Sequence, residues 1–430
     1  TAMLNIALLA DSIDSRFPKA EELAADLKVN ANSQIQPSGK GFYTIDGKPR
    51  FLISAKLAGF SPVREMKVHT AGYPDTMKWL YETPIDFNQM YRIGLDAVSI
   101  NAPLRWFIQR FNPKYPDLWK GSEYLFRDGV SLHFDMGGFT PWTYGQPASG
   151  KYAAMFESGA INSRNGMDRN HWVPFNPNHP QGKALYLLHW RSSLELAKQL
   201  GNRKVFRYEL FNEPSYNDPS PYNKVLFARF LENRYGSLAE LNKVWNTNHR
   251  SWKEAADFTS AASNSGLYID WSKFMEQSFT EICRAGEALI REIHPESTGC
   301  VQSMGTQLWI PFTNVNIVEI AKFQKAVSLP TGGGFSLTAQ TEANDHTIDT
   351  PSSRAGVGRL TVEATLAIAD GKPVHCDETY FNRWSANSLF YQALLRKIAN
   401  VTLFERGKRG WDWKTEAEGK KIAQNLSWYI

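Results

Sequence analysis

Val205-Phe206-Arg207-Tyr208-Glu209-Leu210-Phe211-Asn212-Glu213-Pro214 is the stretch that decides the fold, because an apolar, β-rich run stops there at a carboxylate and a proline. Proline has no N–H to donate, so Pro214 ends the strand and leaves Glu213 at its carboxyl end. Seven further apolar runs alternate with amphipathic helices, which is typical of a parallel sheet wrapped by helices. The eight predicted strands are Arg50–Ala55, Leu95–Ile100, Val130–Phe134, Val205–Phe211, Thr298–Ser303, Ala326–Leu329, Pro373–Asp377 and Gly410–Trp413.

Eight strand–helix units predict an α/β fold, a closed (β/α)8 TIM barrel over residues 39–430. An N-terminal arm or linker over residues 1–38 precedes it. The connections that follow the strands are long, and in a barrel such loops gather at the carboxyl-terminal face, where we expect the active site. The predicted helices are Phe87–Ile93, Gly182–Leu200, Asp270–Ile293, Arg354–Ala369, Ser385–Asn400 and Thr415–Ile430.

Charge and composition narrow the class of ligand. The net charge is only +5 over 430 residues, and Lys and Arg are spread along the chain, so we predict no nucleic-acid partner. No apolar run approaches the roughly 18 residues of a membrane span, so none is predicted. The 14 tryptophans permit a carbohydrate ligand, because flat rings suit the face of a sugar, although core packing explains most of them.

Metal and cofactor signatures are not found in the sequence. Cys283, Cys300 and Cys376 lie far apart, which gives neither a disulfide framework nor a CxxC site, and we interpret them as small buried side chains. The glycines at 332–334 lack the Lys-Ser/Thr of a phosphate loop. His133 and Asp135 share a strand face without a third ligand nearby, so we predict no metal site and no cofactor.

A second carboxylate ends the predicted seventh strand, in Pro373-Val374-His375-Cys376-Asp377-Glu378. Asp377 and Glu378 compete for one place, because strand side chains alternate, and we choose Glu378 as the more terminal. Strands four and seven lie across a barrel mouth from each other. A pair of carboxylates on opposite sides of a sugar performs glycoside hydrolysis, with retention when they are about 5–5.5 Å apart and inversion at about 6.5–9.5 Å.

The motifs also carry a family resemblance. Tyr208–Pro214 resembles the strand-four acid/base motif of the clan A glycoside hydrolases, and Glu378 matches that clan's strand-seven nucleophile. The segment Phe227–Trp245, which contains Arg-Tyr-Gly-Ser-Leu, Leu-Asn and Trp, is similar to family 42 β-galactosidases. The resemblance implies Glu213 as acid/base and Glu378 as nucleophile. The clan's Tyr or His after strand six is missing from 329–334, and His346 or Tyr380 is the expected substitute.

Several residues are expected to bind the substrate. Asn212 is placed to donate to a ring hydroxyl beside the reacting carbon. Trp411 resembles the clan's stacking platform, the alternative being that Trp411 and Trp413 are core residues. Arg105 is placed to keep the nucleophile ionised, or else to form a structural ion pair. The remaining candidates are Trp142 and Trp309, which lie in mouth-side loops as walls for outer sugar positions, and Trp384, which lies nearer the nucleophile.

These residues predict a retaining β-glycoside hydrolase, β-galactosidase-like, that works by double displacement. One alternative keeps the chemistry but cleaves a polysaccharide internally, as agarases or mannanases do. Another is a carbohydrate-binding barrel without turnover, which only the missing strand-six partner favours. The sugar, the oligomeric state and the compartment are left open by the sequence.

Overall fold

A computed structural model describes residues 35–57, 96–101, 131–135, 160, 173–199, 205–302, 313–329, 362–380 and 398–404. Their strands form two sheets, one of three and one of eight strands. The small sheet contains β1 (Ile35–Pro37), β2 (Tyr43–Ile45) and β3 (Lys48–Arg50). The large sheet contains β4 (Leu52–Leu57), β5 (Ala97–Asn101), β6 (Ser131–Asp135), β7 (Val205–Asn212), β8 (Gly299–Gln302), β9 (Val327–Leu329), β10 (Val374–Tyr380) and β11 (Asn400–Phe404).

The large sheet is parallel throughout, and its order is β8-β7-β6-β5-β4-β11-β10-β9. This order is that of a ring opened between β8 and β9, because every other pair of sequence neighbours is also a pair of spatial neighbours. Among the described residues no ladder joins β8 to β9. The backbone N–H of Lys325, just before β9, nevertheless donates to Thr298 Oγ1, just before β8, at 3.0 Å.

A small apolar cluster shows that the sheet is strongly curved. It gathers residues from the amino-terminal ends of strands near both edges, together with two residues of the small sheet. A flat sheet would keep those edges apart, so the strands must curl around the small sheet. The cluster consists of Ile35, Tyr43, Leu52, Ala97, Phe206, Ala326 and Ala399, all buried.

The small sheet is a hairpin extended by one strand. Asp46 and Gly47 both have positive φ, 51° and 78°, which is the geometry of a two-residue Asp-Gly turn between β2 and β3. Tyr43 is fully buried and its hydroxyl is hydrogen-bonded to His375 Nε2 at the start of β10. The hairpin therefore covers the amino-terminal end of the large sheet. Because β1 begins at Ile35, the end of the predicted 1–38 arm takes part in this sheet, and the arm as a domain stays a prediction.

The structure confirms seven of the eight predicted strands to within a few residues. The place expected for the eighth predicted strand, Gly410–Trp413, is taken by β11, which pairs with β4 on one side and β10 on the other. Its run Val401-Thr402-Leu403-Phe404 is β-branched and apolar, but it is too short to separate by periodicity from the end of the preceding predicted helix. Residues 410–413 lie outside the described residues. The parallel α/β class is confirmed.

In the described part of the chain helices pack against the sheet, and two long ones were predicted almost as observed. The helices are α1 (Pro180–Gln199), α2 (Pro221–Tyr235), α3 (Leu238–Trp245), α4 (Trp252–Ala256), α5 (Ser265–Ile293), α6 (Ile317–Ala321) and α7 (362–369). The main core lies between α1, α5 and β7, where Trp190 and Phe279 pack on Phe211 with ring centroids 5.5 and 4.7 Å apart. Gly286 allows α5 to pack closely on α1, because a Cβ at this position would lie 2.8 Å from the Trp190 ring. Cys283 and Cys300 are buried free thiols, as predicted.

The segment that resembles family 42 forms a tight corner on α5. Asp270 Oδ2 accepts hydrogen bonds from Tyr235 Oη at 2.5 Å and Trp245 Nε1 at 2.9 Å. Its other oxygen pairs with Arg234 Nε at 2.9 Å. Gly236, at φ 69°, ends α2, and Ser237 caps α3, so the chain turns between them. Three conspicuous side chains of the motif thus meet on one buried carboxylate.

Candidate functional site

Glu213 stands at the carboxyl end of β7 in a strained conformation. Its φ is 44°, in the left-handed region that residues other than glycine rarely adopt, and such strain concentrates at functional sites. Its N–H donates to the carbonyl of Gln302, the last residue of β8, at 2.7 Å. The Asn212 and Glu213 side chains are half-buried, whereas the seven preceding residues of β7 are buried. Asn212 and Glu213 therefore lie at the carboxyl-terminal edge of the sheet, where side chains become accessible to solvent.

The loop after Glu213 is held on its far side as well. The Tyr216 N–H donates to Thr313 O at 2.9 Å, and Asn314 Nδ2 donates to Tyr216 O at 2.8 Å. Both backbone groups of Tyr216 are therefore bound to the segment that precedes α6. Asn314 itself has a φ of 54°, which asparagine tolerates better than most residues.

The Tyr216 ring reaches into a buried amide network. Its hydroxyl donates to Asn176 Oδ1 and accepts from Asn223 Nδ2, both at 3.0 Å. Asn223 Oδ1 accepts from the side-chain amides of Asn176 and Asn178, at 3.2 and 3.0 Å. Burial raises the pKa of the Tyr216 hydroxyl well above its ordinary value, so the phenol stays protonated. The network is neutral at its centre.

Asp218 is the acidic member of this loop. Its Oδ2 accepts from Asn223 Nδ2 at 2.9 Å and from Ser220 Oγ at 3.1 Å. Its Oδ1 is buried and has no hydrogen-bond partner in the described part of the chain. Burial raises the pKa of the Asp218 carboxyl to about 6, although hydrogen bonds from Ser220 lower it. At about pH 6, half of the Asp218 carboxyl groups are therefore protonated and neutral.

The second predicted carboxylate lies in β10, near the carboxyl end of the strand. The pairing of β10 with β11 shifts register between Cys376 and Thr379, so Asp377 and Glu378 lie at an irregularity. Bulges of this kind occur beside active sites and re-aim side chains. Tyr380 is the last residue of β10 and pairs with Phe404. The structure describes the backbone of these residues.

The remaining predicted site residues lie outside the described residues, namely Arg105, Trp142, Trp309, His346, Trp384 and Trp411. For His133 and Asp135 on β6, the structure describes only the backbone. It places His133 opposite Arg207 and Asp135 opposite Glu209 on β7. Within the described ranges, no three His, Cys, Asp or Glu residues lie close enough together to hold a metal ion. No described helix is long and apolar enough to cross a membrane.

Sequence reasoning missed several buried polar residues around Glu213. Arg207 and Glu209 are fully buried on β7, and each makes an interaction inside the protein. Tyr216 and Asn223 were missed because their partners are distant in sequence. The one available signal was the density of Asn and Pro between 212 and 223, which indicates a loop rich in side-chain-to-backbone bonds.

Comparison of the sequence with protein families and with curated proteins gives one family match. Residues 163–353 match the family model of glycoside hydrolase family 42, described as beta-galactosidase. None of the curated protein sequences matches the chain.

Solved structures share the fold at low sequence identity. A β-galactosidase from the psychrophilic Marinomonas ef1 is 14% identical with a TM-score of 0.58, over 88% of this chain and 59% of that one. The cold-adapted β-galactosidase from Rahnella sp. R3 is 16% identical with a TM-score of 0.60, over 88% and 56%. A family 42 exo-carrageenase from Bacteroides ovatus is 13% identical with a TM-score of 0.62, over 92% and 53%.

This chain spans little more than half the length of those structures, as the shares of 59%, 56% and 53% show. The match over 163–353 includes the Asn-Glu-Pro stretch and the corner on Asp270. The resemblance of this chain to glycoside hydrolase family 42 is therefore confirmed over residues 163–353, and its fold is that of solved β-galactosidases and of a family 42 exo-carrageenase.

Proposed function

We propose that this chain is a retaining β-glycoside hydrolase that acts on β-galactosidic bonds. Glu213 is the acid/base and Glu378 the nucleophile. The observation that carries the proposal is the position of the two residues: Glu213 follows β7 directly, and Glu378 lies near the carboxyl end of β10. Carboxyl ends of parallel strands share one edge, which is where barrel enzymes place their active sites.

The proposal requires the sheet to close into a (β/α)8 barrel. In a flat sheet, five gaps of about 4.8 Å would separate β7 from β10 by roughly 24 Å, far too much for a shared sugar. Closure between β8 and β9 puts the two strands across one mouth. The ring-like strand order, the shared cluster at the amino-terminal ends and the Lys325–Thr298 hydrogen bond support closure. Residues 39–430 then form the barrel and residues 1–38 an arm before it.

In the proposed mechanism, Glu378 attacks the anomeric carbon while Glu213 protonates the departing oxygen. Glu213 then takes a proton from the water that releases the sugar from Glu378. The half-buried position of Glu213 at the end of β7 fits this role, because the acid/base must reach the departing oxygen first and a water molecule afterwards. The resemblance to family 42 over 163–353 supports a galactoside as substrate.

Other predicted residues complete the proposed site. Asn212 donates to the sugar hydroxyl beside the anomeric carbon, and Trp411 stacks on the sugar ring. Arg105 keeps Glu378 ionised, and Tyr380 or His346 orients it. Trp142, Trp309 and Trp384 wall the mouth around the leaving group.

The test compares the wild type with Glu378→Ala, Glu213→Ala and Asp377→Ala on 2,4-dinitrophenyl β-D-galactopyranoside. We expect Glu378→Ala to abolish turnover and azide to restore it as the α-galactosyl azide. Azide should rescue Glu213→Ala as the β-galactosyl azide, because the covalent intermediate still forms. Asp377→Ala is the matched neighbour and should keep activity. Loss in Asp377→Ala with full activity in Glu378→Ala would transfer the nucleophile role to Asp377.

A second candidate is exo-cleavage of a sulfated galactan. The observation that favours it is the fold likeness to the exo-carrageenase, which covers 92% of this chain at a TM-score of 0.62. Incubation with carrageenan separates the cases by product size. A single small product from the start indicates exo action, a ladder of oligosaccharides indicates endo action, and unchanged polymer beside hydrolysed galactoside leaves the β-galactosidase.

A further inference from the structure

We propose that Tyr216 is the positioning residue of the general acid, holding Glu213 in its strained conformation at the mouth. This inference rests on the proposed function, and it assigns a role to a residue three positions beyond Glu213. Tyr216 is fully buried, so it contributes through the loop rather than by touching substrate.

The argument begins with the backbone of Glu213. A non-glycine residue at φ 44° costs free energy and persists only where the surroundings fix the chain on both sides. On the amino-terminal side, Glu213 N–H is bound to Gln302 O at 2.7 Å. On the carboxyl-terminal side, Pro214 and Ser215 are buried, and the next residue with two described backbone bonds is Tyr216.

Tyr216 is bound at three points. Its N–H and carbonyl are held by Thr313 and Asn314, at 2.9 and 2.8 Å. Its hydroxyl is shared between Asn176, just before α1, and Asn223 in α2, at 3.0 Å each. These partners belong to the segments after β6, β7 and β8. Tyr216 therefore ties the loop of Glu213 to the segment after β6 through its hydroxyl and to the segment after β8 through its backbone.

The amide network makes the hydroxyl hard to replace. Asn223 is also fully buried, and its amide is committed to Tyr216 and to Asp218. Removing the hydroxyl takes from Asn176 Oδ1 one of its two described donors, leaving the Asn178 N–H at 2.9 Å, and takes one acceptor from Asn223 Nδ2. Each lost partner of a buried polar group costs free energy. We expect the loop to shift in order to satisfy these groups and to carry Glu213 away from the leaving oxygen.

The test uses Tyr216→Phe, which keeps the ring and deletes only the hydroxyl. A misplaced general acid slows the departure of a poor leaving group more than that of a good one. We expect kcat/KM for phenyl β-D-galactopyranoside to fall about 10-fold, and that for the 2,4-dinitrophenyl galactoside to fall less than about 2-fold. The basic limb of the pH profile with the phenyl substrate should also move, because it reports the acid form of Glu213.

Tyr186→Phe is the matched control. The Tyr186 hydroxyl is also buried and makes two bonds of 3.1 Å, but both are to the backbone of Phe175. We expect a comparable fall in Tm and an unchanged ratio between the two substrates. Asn314→Gly is a second variant: it keeps the freedom for positive φ, removes the donor to Tyr216 O, and should reproduce the leaving-group effect.

The outcomes separate the two proposals. A wild type that hydrolyses both galactosides, with unchanged substrate ratios in folded Tyr216→Phe and Asn314→Gly, overturns the role of Tyr216 and leaves the function intact. A wild type that hydrolyses neither overturns the β-galactosidase proposal and this inference with it. A substrate ratio that changes equally in Tyr186→Phe also overturns it, because the effect would then be one of general stability.

Discussion

Two polar clusters that follow Glu213 in the chain hold a buried aspartate in different ways. In the corner on α5, Asp270 is buried and both its oxygens are paired, with Arg234, Tyr235 and Trp245. In the loop cluster, Asp218 is equally buried, but one oxygen has two donors and the other has none in the described part of the chain. The corner is fully satisfied, whereas the loop cluster is not.

The corner on Asp270 is a structural motif, whereas the loop cluster belongs to the loop that follows Glu213, the proposed acid/base. The residues that most resemble family 42 by letter, Arg234, Tyr235 and Trp245, hold helices together. The loop that carries Glu213 depends on Tyr216 and Asn223, which no motif indicates. A buried carboxylate with both oxygens paired stabilises a rigid structural corner. A buried carboxylate with one unpaired oxygen lowers the free energy of unfolding, and proteins retain such groups mainly where a site requires a particular shape.

The largest effect is expected from breaking the corner. Asp270→Ala leaves the buried Trp245 Nε1 and the Tyr235 hydroxyl without their shared acceptor, and Arg234 without its counter-ion. We expect the free energy of unfolding to fall by about 2–4 kcal/mol, because two donors lose a charged acceptor, whereas Arg234 is 48% exposed and its ion pair adds little. Urea unfolding followed by tryptophan fluorescence measures this. A loss below about 1 kcal/mol would show that the corner is dispensable.

A smaller and pH-dependent effect is expected from Asp218. Its pKa in the folded chain, about 6, is above the ordinary value of 3.8, so folding favours the protonated form. The stability contributed by Asp218 is therefore fully present below pH 4 and lost as the pH rises through about 6. Relative to Asp218→Asn, the wild type should lose about 2 kcal/mol between pH 4 and pH 7.

Urea unfolding of the wild type and Asp218→Asn across that pH range checks the sign. The variant keeps an oxygen to accept from Ser220 and Asn223, so its network should remain intact. A difference that is constant with pH would mean that folding does not raise the pKa of Asp218. A difference that grows in favour of the wild type would mean that a cation partners Oδ1.

The smallest effect is expected at an exposed pair. Asp257 is 74% exposed and pairs with Lys224 Nζ at 3.2 Å. Asp257→Ala should change the free energy of unfolding by less than about 1 kcal/mol, because solvent and salt screen such pairs. Measured in the same urea series, Asp257→Ala gives the baseline with which the effects of Asp270→Ala and Asp218→Asn are compared. A loss as large as that of Asp270→Ala would remove the contrast between buried and exposed carboxylates.

The sequence predicted most of the sheet because each strand is a local pattern. Seven strands and the two long helices followed from apolar periodicity and from breakers such as Pro214. The eighth strand was misplaced because four apolar residues after a helix are compatible with either period. Only its pairing with β4 and β10 identifies Asn400–Phe404 as the strand that fills the gap.

The candidate site was predicted in part for the same reason. Asn212 and Glu213 stand at the end of one strand and Glu378 near the end of another, so a local pattern predicts these positions, while their roles stay predictions. Tyr216 was not predicted, because its partners Asn176 and Asn314 lie 40 and 98 positions away in the chain. Hydrogen bonds between distant amides leave no periodic trace in a sequence.

What the sequence by itself determined is therefore the class of the fold, the strand ends that bear carboxylates, and the resemblance to family 42. These depend on local periodicity, on proline chemistry and on a motif of adjacent letters. Only the tertiary structure decided which strand completes the sheet, how Glu213 is strained, and which buried side chains hold its loop. Those features arise from contacts between distant segments, whose free energies depend on three-dimensional packing and burial rather than on neighbouring residues.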